Sequence, residues 1–205
     1  MINRRLTVIL VVSFVLASAA KASAQRNELG LSLGGMITSD RTIEGPPGSI
    51  NVKGSLTYYI NYATRIADFK LASVHLEFPL AGTPSTDLSS ANPLLPRNYA
   101  SLFFTPGIKV KLLPGGSVSP YAVIGGGLGR FSESDSLLNG QPNGGNKGTN
   151  RGVLDYGGGV DLRVLPFLSL RGEVRDFVSG NPQFNFPVSG RQHNVLTSGG
   201  VVLRF

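Results

Sequence analysis

Apolar side chains recur at every second position in eight separate segments of this chain, a period that only an extended strand turns into a single apolar face. Leu29, Leu31, Leu33 and Ile37 alternate with Glu28, Gly30, Ser32, Gly34 and Met36, and Leu56, Tyr58, Ile60 and Tyr62 with Ser55, Thr57, Tyr59 and Asn61. Ala72, Val74, Leu76 and Phe78 alternate with Ser73, His75 and Glu77. Leu102, Phe104, Ile108 and Val110 alternate with Ser101, Thr105, Gly107, Lys109 and Lys111. The fifth segment, from Pro120 to Phe131, is diluted by Gly125, Gly126, Gly127 and Gly129. Tyr156, Gly158, Val160, Leu162 and Val164 then alternate with Asp155, Gly157, Gly159, Asp161 and Arg163, and Leu168, Leu170 and Val174 with Ser169, Arg171, Glu173 and Arg175. The last segment sets Val195, Thr197, Gly199, Val201, Leu203 and Phe205 against Asn194, Leu196, Ser198, Gly200, Val202 and Arg204.

The connections follow a second rule. About six residues or fewer join segments two and three, four and five, and six and seven, whereas the other four connections are longer and rich in Gly, Pro, Asn and Ser. These span about 39 to 50, 80 to 97, 132 to 152 and 179 to 192. Strict alternation of short and long puts the tight turns at one end and the loops at the other. The predicted fold is all-β, an eight-stranded antiparallel up-and-down transmembrane β-barrel. Composition agrees: 27 Gly, 13 Pro and no Cys exclude a helical bundle, a disulfide scaffold, a Cys-ligated zinc site and a thiol enzyme.

Two regions are expected, a signal peptide over 1–24 and a barrel domain over 25–205. Asn3, Arg4 and Arg5 precede an apolar run of about 15 residues, short of the ~20 a spanning helix needs. Ala22 and Ala24 then form an Ala-x-Ala cleavage signal. Cleavage after Ala24 removes three of 19 basic residues and none of 12 acidic ones, taking the formal charge from +7 to +4. Nothing else in the chain clusters Lys or Arg among aromatics, which argues against nucleic acid as a partner.

Period alone does not tell a soluble barrel, apolar inside, from a membrane barrel, apolar outside. The charges do. Glu28, His75, Glu77, Lys109, Lys111, Asp161, Arg163, Arg171, Glu173 and Arg175 all fall on the polar face, many of them mid-strand. A narrow lumen would hold them as crossed ion pairs, each desolvated charge offset by its neighbours; the alternative is a solvated face outside a soluble barrel. Phe78, Tyr156, Phe177 and Phe205 are expected in aromatic girdles at the lipid interface.

The ending Gly200-Val201-Val202-Leu203-Arg204-Phe205 resembles the insertion signal read by the outer-membrane barrel assembly machinery, with Val201, Leu203 and Phe205 carrying it. Ser119-Pro120-Tyr121-Ala122 with its following glycines, and Gly157-Gly158-Gly159-Val160-Asp161 through Leu170, Arg171, Glu173 and Arg175, resemble the outer membrane protein A-like small β-barrel family. The resemblance covers residues 25 to 205. It implies a multi-pass barrel in the outer membrane, in contact with membrane lipid and lipopolysaccharide and assembled by that machinery.

Candidate chemistry is sparse. Gly30-Leu31-Ser32-Leu33-Gly34 fits the serine-hydrolase spacing, but it lies inside an alternating strand rather than on a strand-to-helix elbow. The glycines at 125–129 and 157–159 lack the helix and Lys of a phosphate loop. His75 and Glu77 share a face, an arrangement suited to a general base but more ordinary as a lumen pair. His193 stands where some lipid A deacylases carry His-x-Ser, yet the residue two beyond is Val195. Asp87, Glu133 and Asp135 offer at most a weak surface cation site. No cofactor and no catalytic residue is expected, and Phe184 and Phe186 are expected to pack on the rim. The function anticipated is structural, surface-interacting or adhesive, through four external loops of which 132–152 is the longest and most polar and is expected to be mobile. A narrow pore, a lipid A hydrolase resting on His75, Glu77 and His193, and a soluble lipid-binding barrel are the alternatives.

Overall fold

The computed structural model describes residues 26–42, 49–145, 147–186 and 190–205. The expected signal segment, with Ala22 and Ala24, lies outside them. Among the described residues eleven strands follow in order: β1 (Asn27–Thr38), β2 (Arg41–Thr42), β3 (Ser49–Val52), β4 (Ser55–Asp68), β5 (Ala72–Ser89), β6 (Asn98–Phe104), β7 (Gly107–Leu112), β8 (Val118–Glu133), β9 (Gly148–Leu165), β10 (Leu168–Gly180) and β11 (Arg191–Arg204).

These make eight spans, because β6 and β7 are one span interrupted at Thr105-Pro106, and β2 with β3 forms a hairpin inside the first loop. Pro106 lacks an N–H, so the ladder breaks there; the bond from Gly126 N to Pro106 O (3.1 Å) carries the sheet across the gap. Each span pairs antiparallel with its sequence neighbours, and β1 pairs β11 from Glu28–Arg204 to Thr38–Asn194, closing the ring. The tight turns at 69–71, 113–117 and 166–167 share one end, and the connections 39–54, 90–97, 134–147 and 181–190 share the other.

The strands run further toward the loop end than periodicity alone suggested. β5 and β9 are 18 residues long, roughly 60 Å of chain where a tilted membrane strand needs only about 9–11 residues. Connections expected at 80–97 and 132–152 therefore shrink, and the first connection becomes the longest. The loop at 134–147 is bonded to itself and its neighbours, with Leu137 N on Gln141 O (2.9 Å) and Asn143 N on Asp135 O (2.7 Å).

The two faces separate as the alternation requires. Leu31, Leu33, Leu56, Ile60, Leu102, Ile124, Leu128, Leu162, Leu170 and Val174 all point outward and are exposed, while the intervening positions are buried inside the ring. A contiguous apolar belt around a whole molecule is incompatible with water contact and suits the hydrocarbon of a bilayer. Phe78, Tyr156 and Phe205 lie outward on this surface, but Phe177 is completely buried in the lumen. Its parity with Arg171, Glu173 and Arg175 on β10 sends it inside, so it belongs to the interior filling rather than to a girdle.

Candidate functional site

The lumen is filled in three tiers. Nearest the turns, Glu28 accepts Lys109 (2.7 Å) on one oxygen and Lys111 on the other, and Asp161 accepts Lys111 at 2.6 Å and Arg171 Nε at 2.7 Å. Arg204 completes this tier, 3.5 Å from Asp161 and 3.6 Å from Glu28. Above it, Arg175 holds Glu77 and Asp155 at 2.7 Å each and Glu173 at 3.1 Å. Asn61 donates to Glu77 (3.0 Å), Thr105 to Asp155 (2.8 Å) and Tyr121 to Glu173 (3.0 Å). Strand alternation explains the convergence: β1, β4, β5, β7, β8, β9, β10 and β11 each aim polar residues at one axis, where no bulk water competes for them.

The third tier, toward the loops, is apolar. Phe103 stacks on Phe177 with centroids 5.2 Å apart, Phe131 meets Phe103 edge-on at 5.6 Å, and Tyr99 bridges Phe131 (6.0 Å) to Phe184 (5.5 Å). Met36, Ile50, Leu88, Leu95 and Leu196 pack around them. Phe184 of the last loop is fully buried here and Phe186 packs partly against it, the rim packing anticipated for the pair. Loop-to-loop bonds complete the cap: Leu138 N to Leu95 O (2.9 Å) and Asn185 Nδ2 to Asn143 Oδ1 (3.0 Å).

Eight of the ten charged residues read from the sequence enter this ion network: Glu28, Glu77, Lys109, Lys111, Asp161, Arg171, Glu173 and Arg175. His75 is buried in the lumen beside Ser73, whose Oγ lies 2.9 Å from Nε2, and forms no ion pair among the described residues. Arg163 stays at the turn-end mouth, donating to Pro114 O (2.8 Å) and Gly115 O (3.1 Å). Asp155 and Arg204 were not among the ten, although both have inward parity. The polar partners Asn61, Thr105 and Tyr121 are legible only once the neighbouring strands are set in register.

Of the other candidates, Ser32 is a buried lumen residue in mid-strand. Asp135 pairs with Lys147 across an exposed loop at 2.5 Å, and that bond holds its carboxyl below the usual range. Among the described residues, no three His, Asp or Glu side chains gather in a metal-binding group. On the outer face near the loop end, Asp176 Oδ2 contacts His193 Nδ1 at 2.6 Å and accepts Tyr156 OH at 2.9 Å. Val195 sits next outward on β11, beside Asp176.

A closed ring of eight antiparallel spans, apolar outside and ion-paired inside, defines a small outer-membrane-type β-barrel. No protein-family model matches the chain, and no curated protein does either. Solved structures do. Neisserial surface protein A is 14% identical, superposes with a TM-score of 0.55 and aligns over 90% of this chain and 100% of its own. OprG, an outer membrane protein of Pseudomonas aeruginosa, is 12% identical with a TM-score of 0.56, over 88% of this chain and 96% of its own. At such identities the likeness is one of fold.

Proposed function

We propose that this chain is an outer-membrane protein with a sealed, non-conducting barrel that acts at the cell surface through its loop platform, without catalysis. The observation that carries this reading is the filled lumen. An eight-stranded ring has room for side chains and little more, and here Arg175, Lys109, Phe103, Phe131 and Phe177 are all at most 1% exposed. With the loops tied into a cap over that plug, the surface left for recognition is the loop end, in contact with lipopolysaccharide at its rim. The outer-membrane location is supported by the apolar belt and by the shared fold.

Two measurements test it. In planar bilayers the purified protein should give no stable conductance steps; regular steps would overturn the seal. Cells displaying the protein should attach to protein-coated surfaces more than cells displaying a variant with residues 138–144 replaced by Gly and Ser, both barrels being folded. Equal attachment would overturn the loop role.

A second reading, a lipid-modifying barrel, rests on the oriented imidazole of His193 beside Asp176 at the lipid-facing rim. The position expected to supply a nucleophile is Val195, and His75 and Glu77 are shut inside the lumen away from lipid. Incubation with lipopolysaccharide is therefore expected to release no acyl chains. Release that disappears in His193→Gln would establish the second reading instead.

A further inference from the structure

The turn end of the barrel opens into a vestibule of about 620 Å³. Its charged lining sets Arg65, Lys70, Lys111, Arg163 and Arg204 against Glu28 and Asp68, an excess of three positive charges. Both acids are already engaged: Glu28 by Lys109 and Lys111, and Asp68 by Arg65 at 2.7 Å. The donors are not all engaged. Among the described residues, Nε of Arg163 and Nδ1 of His75 are buried without a hydrogen-bond partner, and Nε of Arg204 has only Glu28 Oε1 at 3.6 Å, too long for a hydrogen bond, while Arg204 and His75 are only 5% and 3% exposed. All three residues line this one cavity.

Orphaned buried donors are rare enough in folded proteins that each calls for a cause. Arg163 cannot turn away to satisfy itself, since its two terminal nitrogens are fixed on the Pro114 and Gly115 carbonyls. When Ser73 donates its hydroxyl proton to His75 Nε2, the His75 Nδ1 carries the imidazole proton and becomes a third donor beside the two guanidinium groups. The vestibule therefore lacks two things together, acceptor atoms and negative charge. Water supplies acceptors without charge. A carboxylate brings two oxygens in one plane, whereas a phosphate brings several oxygens at tetrahedral angles, the better match to donors reaching in from β5, β9 and β11.

We propose that the vestibule is a binding site for a phosphate-type oxyanion, taken either from solution or from a phospholipid headgroup at the adjoining membrane surface. Lys70, in the turn between β4 and β5, adds a mobile positive charge at the entrance.

The two histidines make the site directly observable. In a His193→Gln background, ¹⁵N-labelled His75 is the single imidazole. Inorganic phosphate is titrated at constant pH and ionic strength into protein held in uncharged maltoside micelles, which contain no phosphate. A saturable shift of the Nδ1 resonance is expected. In Arg163→Gln or Lys70→Gln, with heat-modifiable gel mobility retained, the apparent affinity should fall about tenfold, as loss of one charge-assisted contact implies. Absence of a saturable shift, the same shift with chloride, or unchanged affinity in both variants would overturn the proposal. The source is settled in phosphate-free nanodiscs of phosphatidylglycerol. A resonance already at the saturated position assigns the site to headgroups, and one at the unbound position assigns it to a soluble anion.

Discussion

Arg175→Ala is expected to lower the stability of the folded barrel by about 3–5 kcal/mol, the range seen when one partner of a buried ion pair is removed and the other is left behind. Here three partners are left behind. The guanidinium spends its Nη2 on Glu77, its Nη1 on Asp155 and its Nε on Glu173, and its planar face lies 5.2 Å from the ring centroid of Tyr59. Alanine would strand three carboxylates in a space from which water is excluded. Urea titration of the lipid-embedded protein, followed by heat-modifiable gel mobility, reads the effect as a lower midpoint. Arg175→Lys should fall in between, because a point charge with three rotatable donors cannot match three directions fixed by a rigid fork. The decisive comparison joins Arg175→Met to Glu77→Gln, Asp155→Asn and Glu173→Gln. If uncompensated charge is the cause, this neutral set regains most of the loss. If it is no more stable than Arg175→Ala, shape rather than charge governs the tier.

The ion network also has a polarity that bears on this experiment. Lys109, Lys111, Arg171 and Arg204 face only Glu28 and Asp161 in the lower tier, whereas Arg175 alone faces three acids above, so the tiers carry opposite excesses that cancel over the five cations and five anions. Tyr121 stands between them, donating to Glu173 from above while Arg171 lies 4.8 Å and Lys109 5.6 Å from its ring centroid. The lower excess partly offsets the negative tier across this ring. Removing Arg175 makes the upper tier more negative and unbalances the whole lumen.

Much of this is legible in the sequence. Period two fixes which side chains share a face, so the inward set on β4, β7 and β11 could be written down from Tyr59 and Asn61, Lys109 and Lys111, Leu196 and Val202. Alternating connection lengths fix the up-and-down order. Parity does not say which inward residues touch, because that depends on register between strands far apart in sequence: Glu28 and Lys109 meet across the barrel, and Arg175 and Glu77 do likewise. At Phe177 parity outweighs aromatic character and sends the ring inside, and Arg204 takes an inward position in a segment whose most conspicuous feature is its terminal Phe. Pro106 was hidden by the apolar pattern, which runs through it from Phe104 to Ile108. The pairing of Asp176 with His193 lay beyond the alternation rule, since both residues are polar on a face the rule assigns to lipid.

Gly200→Val is expected to abolish barrel closure, while Gly199→Val, one residue away on the same strand, leaves it intact. Gly200 faces inward on β11 opposite Ser32 of β1, where the last strand meets the first. A Cβ there would lie 2.1 Å from Leu31 O and 2.5 Å from the Ser32 Cα. Those are backbone atoms of the partner strand, so no rotamer change relieves the overlap, and only parting β1 from β11 makes room. Gly34 imposes the same limit from the other side, since a Cβ on it would come 2.3 Å from Thr197 O. At Gly199, on the lipid side, the nearest atom would be 3.9 Å away, ordinary contact, and a β-branched side chain suits an exposed strand position. The inward substitution should cost ~3 kcal/mol or more, beyond the usual range for overpacking because a row of closing hydrogen bonds is lost with it. In refolding into lipid vesicles, Gly200→Val should yield little or no heat-modifiable band and Gly199→Val a normal one. Equal yields from the two would mean that the seam has slack and that glycine on the lumen side serves some purpose other than close strand approach. Unequal yields in the predicted sense would explain the glycine content of the chain at its most demanding point: at three successive inward pairs of the seam, Gly30–Val202, Ser32–Gly200 and Gly34–Ser198, one of the two partners carries no side chain.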